Sequence, residues 1–267
     1  MVSENWVKSA SGAIAPARID TSAPNEARVW DSMNGGHDNF ETDRRVARQI
    51  VAATPELAQA APAVRAFCGR VTRHAGEAGI RQFLNISLGL RDASTIYAAG
   101  RAVAPGSRFM FVAHDPMVLS HAHATLHTSA EGEVSCVDAD PLDIESVLRA
   151  VTGILNPGEA VAVLMSDTMN FLEDASAVVA RLAATVPSGS HLGVIQPDER
   201  LTLAARRWSN YFHSPVYLRG PDKVAGWFTG LDLLEPGVVD IHRWRPALDD
   251  PECPAGMPLL GAVARNR

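Results

Sequence analysis

The residues able to do chemistry in this sequence gather where apolar runs end. "FVAHDP" places His114 and Asp115 directly after such a run, and an imidazole with an ordinary pKa of about 6.5 can exchange a proton near neutrality. His114 is therefore either an acid–base group or part of a pocket wall. His37 follows two glycines in "MNGGHDNF", and Asn170 comes soon after an apolar run, in "MNFLED". Tyr211 lies in "WSNYFHSPVYLRG", the stretch richest in aromatic side chains. These four are the candidate catalytic residues. "FLNISLGL", residues 83–90, leads from a strand-like segment into a glycine turn, the arrangement with which many α/β proteins hold a nucleotide. That turn carries Asn85, Ser87 and Gly89.

The elements that must position these groups follow from periodicity. Residues 1–18 are rich in Ser, Ala and Pro and are expected to be mobile. Residues 19–79 read as a helical cap. From Glu41, the apolar Val46, Ile50 and Ala53 share one face and Arg44, Arg45 and Arg48 the other, until Pro55 interrupts. A second helix is expected from about Pro62 to Ala78. Over residues 80–267 the rhythm changes: the apolar runs "QFLNIS", "RFMFVA", "EVSCVDAD", "AVAVLM" and "HLGVIQ" alternate with amphipathic stretches. Those stretches predict helices from Ala93 to Val103, Pro116 to His127, Leu142 to Val151, Asp174 to Thr185 and Glu199 to Trp208. Such alternation predicts an α/β fold with a mostly parallel sheet and helices on both faces. "GLDLLEP", "VVDIHRW" and "PLLGAVAR" are strand-like with short connections and predict an antiparallel finish. A ligand in such a sheet sits beyond the carboxyl ends of the strands, here residues 85–89, 113–115, 138–140, 166–170 and 196–198.

Composition narrows the partners. A net charge of −6 and a pI near 5.8 argue against a nucleic-acid partner, which needs a concentrated basic surface. Cys68, Cys136 and Cys253 have no metal-ligand or redox spacing, no apolar run is long enough to span a bilayer, and the first residues lack a signal-peptide core. A cytoplasmic protein with no membrane partner is expected. "SHAHATLH" puts His121, His123 and His127 close together, but no third or fourth ligand is visible, so solvated helix surface is the reading and no metal is assigned. "DADP", with Asp138 and Asp140, reads either as a turn with a helix cap or as an acid-bearing loop.

Three stretches together carry a resemblance: "ARVWDSMNGGHDNFETDR"; "AGIRQFLNISLGL" with "FVAHDPMVLSHAHATL"; and "GLDLLEPGVVDIHRWRP" with "GAVAR". They resemble the actinobacterial-type S-adenosylmethionine methyltransferases, class I enzymes with a Rossmann-like core and a helical N-terminal segment. The likeness runs from about Ile19 to Arg265. It implies S-adenosylmethionine as cofactor, contacted by Gly35, Gly36 and Asn39 of the N-terminal signature, by Asn85, Ser87 and Gly89, and by Asp115 and Asp138. It further implies a substrate wall from Trp30, Met33, Gln196, Trp208, His213 and Tyr217, although "WSNYFHSPVYLRG" reads equally as a helix-to-loop hinge that packs Trp208 and Tyr211 into the core. "MNGGHDNF" is then a lid that turns His37 toward the pocket, where composition alone gives a tight turn and a capped helix. The family pattern is an acid followed by Gly-x-Gly after the first strand, an acid after the second that binds both ribose hydroxyls, and histidines after the fourth and fifth. This chain has Asn85, Ser87 and Gly89, then Ala113, then Asn170, then Gln196 and Pro197. The resemblance implies methyl transfer to a small molecule in specialised metabolism. A cyclisation or rearrangement without methyl donation, and an inactive partner subunit, are the alternatives, with monomer and homodimer both open.

Overall fold

The computed structural model describes residues 7–9, 19–33, 35–86, 92–120, 134–248, 250 and 257–267. Ser87, Gly89, the histidines at 121, 123 and 127, and Cys253 lie outside the described residues. The strands are β1 (Val7–Ser9), β2 (Gln82–Ile86), β3 (Arg108–Ala113), β4 (Val134–Asp138), β5 (Val161–Met165), β6 (His191–Pro197), β7 (Asp232–Leu233), β8 (Val239–Asp240) and β9 (Leu259–Arg265). They form one sheet in the order β1-β4-β3-β2-β5-β6-β9-β7, with β8 also pairing β9. Every pair from β1 to β6 is parallel, and β9 runs antiparallel to β6, β7 and β8. The fold is therefore the Rossmann-like α/β sheet with an antiparallel end that the sequence predicts.

β2 sits at the switch point, flanked by β3 on one side and β5 on the other. Its five residues are all buried, because helices cover both faces and successive side chains go to opposite sides. On one face Phe83 stacks on Phe109, with ring centroids 5.0 Å apart. That face packs beneath the N-terminal helices α1 (Glu26–Met33), α2 (Glu41–Ala53) and α3 (Ala60–Glu77) through Val29, Val46, Ile50 and Phe67. The other face, with Leu84, Met110 and Val163, is covered by α5 (Ile144–Val151) and α6 (Ala175–Ala183); α4 (Asp92–Val103) precedes β3. Trp227 and Phe228 are core residues on this second side.

Element boundaries shift for identifiable reasons. Asp143 and Asp174 stand before α5 and α6 and accept the Ser146 and Ala177 amides, so they cap helices instead of starting inside them. The stretch expected from Glu199 to Trp208 is a 3-10 turn, Glu199–Leu201, followed by α7 (Thr202–Phe212), which carries Tyr211 within a helix. Only Val239–Asp240 of "VVDIHRW" is strand; residues 241–243 coil into a 3-10 turn that buries Trp244 completely. The buried Arg70 fixes this turn from α3, donating to the Trp244 and Ile241 carbonyls at 2.8 and 2.6 Å and pairing with Asp250. Residues 7–9, within the stretch expected to be mobile, pair in parallel with β4; its outer edge would otherwise present an unpaired ladder.

Candidate functional site

Over the carboxyl ends of the strands, α1 is fastened down at both ends. Asn25 caps it by accepting the Arg28 amide at 3.1 Å, while its Nδ2 donates to Asp115 Oδ2 at 2.7 Å just beyond β3. Asp115 also accepts the Met117 and Val118 amides at 2.8 and 3.1 Å, capping the helix that opens at residue 116. A buried ion pair, Arg28 Nε to Asp43 Oδ2 at 2.9 Å, ties α1 to α2, and Asp43 also takes the Asn25 and Phe40 amides. At the far end the buried Asp31 accepts the Asp38 amide and the Asn39 Nδ2, both at 2.8 Å. The glycines between serve two needs: Gly35 has φ +67°, and a Cβ on Gly36 would lie 1.9 Å from Asp31 Oδ1. Gly36, Asp38 and Asn39 of the signature "WDSMNGGHDN" are thus gathered around one carboxylate, Asp31 in the last turn of α1.

Two cavities adjoin beneath this cap. The first is an open cleft lined by Asn25, Glu26, Ala113, His114, Asp115 and Asp140 among others, over the ends of β3 and β4. The second is chiefly apolar: Met33, Ile50, Leu57, Leu201, Leu218 and Leu259 contribute, together with polar groups discussed below. Trp30, Trp208, Phe171 and Asp167 line both, so they form the partition. The two indoles meet with centroids 6.0 Å apart, and Phe212 backs Trp208 at 4.8 Å.

The structure divides the sequence-derived candidates. Trp30, Met33, Asn170 and Trp208 line the apolar chamber; His114 and Asp115 line the cleft with Ala113. His114 is exposed, its Nδ1 2.9 Å from Asp138 Oδ1, so these two form a pair at the cleft mouth. Asn85 is buried within β2. Gln196 works as a brace: its Nε2 donates to the Tyr217 carbonyl at 2.8 Å, and its Oε1 accepts from Arg219 at 3.3 Å. The Tyr217 amide in turn donates to the Asn170 carbonyl at 2.7 Å. Together they pin the 213–219 segment over β6. His37 is exposed on the loop, Tyr211 points its hydroxyl at Gln49 of α2, and His213 is an exposed left-handed helix terminus with φ 51°. None of the three lines either cavity.

Four groups stand out that sequence reasoning did not select. Asp31 and Ser166 fall within stretches it singled out, but residue type alone did not separate them from their neighbours. Ser166 is buried against the chamber, and its hydroxyl has no hydrogen-bond partner among the described residues. Arg65 of α3 lines the same chamber. Glu26, in the first turn of α1, reads in sequence as an ordinary helix-start acid. In the fold it faces the cleft, and burial raises its carboxyl above the usual range, countered by a hydrogen bond from Trp208 Nε1 at 3.3 Å.

A family model described as S-adenosyl methyltransferase matches residues 12–267. The chain is similar to a DUF574 family protein from Streptomyces avermitilis, with 32% identity and a TM-score of 0.86 over 94% of this chain and 100% of that one. It is similar also to a candidate methyltransferase from Thermobifida fusca, with 29% identity and a TM-score of 0.83 over 93% and 97%. An O-methyltransferase family protein from Burkholderia thailandensis, 16% identical with a TM-score of 0.51 over 85% of this chain and 60% of that one, shares the fold alone. No curated protein matches.

Proposed function

Because the chain belongs to the S-adenosyl methyltransferase family, we propose that it methylates a small, largely apolar molecule, as a tailoring step of specialised metabolism. The observation that carries this reading is the pair of cavities divided by Trp30, Trp208 and Phe171. Methyl transfer needs two ligands, one polar and one variable, brought face to face across a short gap and shielded from water. The cleft over β3 and β4 suits a nucleoside in the polar groups that line it, Asn25, Glu26, His114, Asp115 and Asp140. S-adenosylmethionine, when bound, would supply an electrophilic methyl group there.

The chamber residues define the acceptor. Their aliphatic and indole surfaces favour a flat or hydrocarbon body, and drug-sized ligands are held mainly by such walls with a few placed polar groups. Ser166, Asp167 and Asn170 bring polar groups from the β5 side, and Arg65 of α3 lines the same chamber, able to meet an anionic or carbonyl substituent. The 213–219 segment, braced by Gln196, supplies Val216 and Leu218 as the remaining wall.

A second reading is supported by one feature. At Ala113 the strand end offers no acceptor for ribose hydroxyls, and a hydrogen bond to a charged group is worth about 1.5–3 kcal/mol, roughly tenfold or more in affinity. A cleft with that loss could serve a cofactor-free cyclisation or rearrangement. Calorimetric titration with S-adenosylmethionine separates the two: micromolar binding sustains methyl transfer, and no binding at millimolar ligand defeats it.

A further inference from the structure

Five carboxylates stand on or beside the cleft, and four are already engaged. Asp115 holds two helix amides and Asn25; Asp138 holds His114; Asp140 takes the Leu142 amide at 2.9 Å; Asp167 has a partner of its own. Glu26 differs. Among the described residues it has no cationic partner, and its one donor is the Trp208 indole at the long distance of 3.3 Å. An ionised carboxylate can accept about four hydrogen bonds, so most of its capacity is unused in a half-buried setting where donors are valuable. Its position is fixed: Asn25, the residue before it, is bonded to Asp115, two residues beyond Ala113. The cap therefore delivers a carboxylate to the strand end that lacks one.

We propose that Glu26 is the acceptor for the vicinal hydroxyls of the nucleoside, taking the place that Ala113 leaves empty of function. This rests on the methyltransferase reading and deepens it. It also moves the grip on the ligand from the rigid sheet to the cap. Seating the nucleoside would then add bonds to α1, and the cap would be held more firmly with ligand than without it. Burial, which lifts the Glu26 carboxyl, would be offset by two hydroxyl donors.

The test is calorimetry on the full chain with S-adenosylhomocysteine and its 2′-deoxy analogue as probes. Wild type should prefer the hydroxylated probe, and Glu26→Gln should weaken its binding by about tenfold to a hundredfold while weakening the deoxy analogue, which keeps only the 3′-hydroxyl, by clearly less. Ala113→Asp in the Glu26→Gln background should restore part of the loss, a rescue that a folding defect could not produce. Equal affinity and equal discrimination in wild type and Glu26→Gln would overturn the assignment and leave the methyltransferase reading intact. A wild type that binds neither probe at millimolar concentration would overturn both.

Discussion

Replacing Gly36 by alanine probes the loop gathered around Asp31. The added Cβ would sit 1.9 Å from Asp31 Oδ1 and 2.3 Å from its Cγ, far inside contact distance, so the carboxylate must swing away. Asp31 is 4% exposed, and swinging breaks its bonds from the Asp38 amide and Asn39 Nδ2. Hydrogen bonds to a charged group contribute about 1.5–3 kcal/mol each, so losing two should cost on the order of 3–6 kcal/mol. Gly35→Ala is the control. Its Cβ would meet nothing within 4 Å, and the cost is only that of φ +67°, roughly 1–2 kcal/mol. Urea unfolding of both variants gives the totals, and amide hydrogen exchange across α1 shows whether the loss stays in the cap. A Gly36→Ala variant no less stable than Gly35→Ala would refute the argument that Asp31 is the hub of this loop.

The remaining predictions concern a buried histidine and two residues that line neither cavity. Burial, aided by the charges of His74, Arg265 and Arg245, lowers the His191 imidazole to about 4, and His74 stacks on it with centroids 5.5 Å apart. The unfolded chain, with an ordinary value near 6.5, takes up that proton first. Its contribution to stability is therefore complete above pH 6.5, falls as pH drops from 6.5 to 4, and is flat below. The 2.5-unit difference sets a ceiling of about 3 kcal/mol. His191→Gln should flatten urea midpoints over that window, and parallel profiles for the two proteins would sink the idea. Tyr211→Phe and His213→Ala should leave S-adenosylhomocysteine affinity within about twofold, since neither residue lines the cleft; a tenfold loss would place them in the site after all.

The parallel core was readable because its signals are local and redundant. Each of "QFLNIS", "RFMFVA" and "AVAVLM" is a short apolar run followed by an amphipathic stretch, and burial on both faces removes any need for alternation. The loops that bear the cavities were also legible, because strand ends follow once strands are placed. What sequence could not supply was direction. Tyr211 and Trp208 stand three positions apart on one helix, yet the helix turns the indole to the cavities and the phenol to Gln49. Gln196 sat at the right strand end, but its amide is consumed in bracing Tyr217 and Arg219. Glu26 was invisible for the opposite reason: an acid in a first helical turn is commonplace, and only the Asn25–Asp115 bond, across 90 residues of chain, brings it to the cleft.

The tryptophan partition has a consequence for how such a protein can diversify. Trp208 belongs to the wall of both compartments and is also the sole hydrogen-bond donor to Glu26 among the described residues. Trimming it to admit a bulkier acceptor would also open the neighbouring compartment and strip that carboxylate of its donor. Selectivity for one guest and retention of the other are then coupled traits, and new acceptors are more readily accommodated at the far wall, around Leu57, Val64 and Leu218, where nothing is shared.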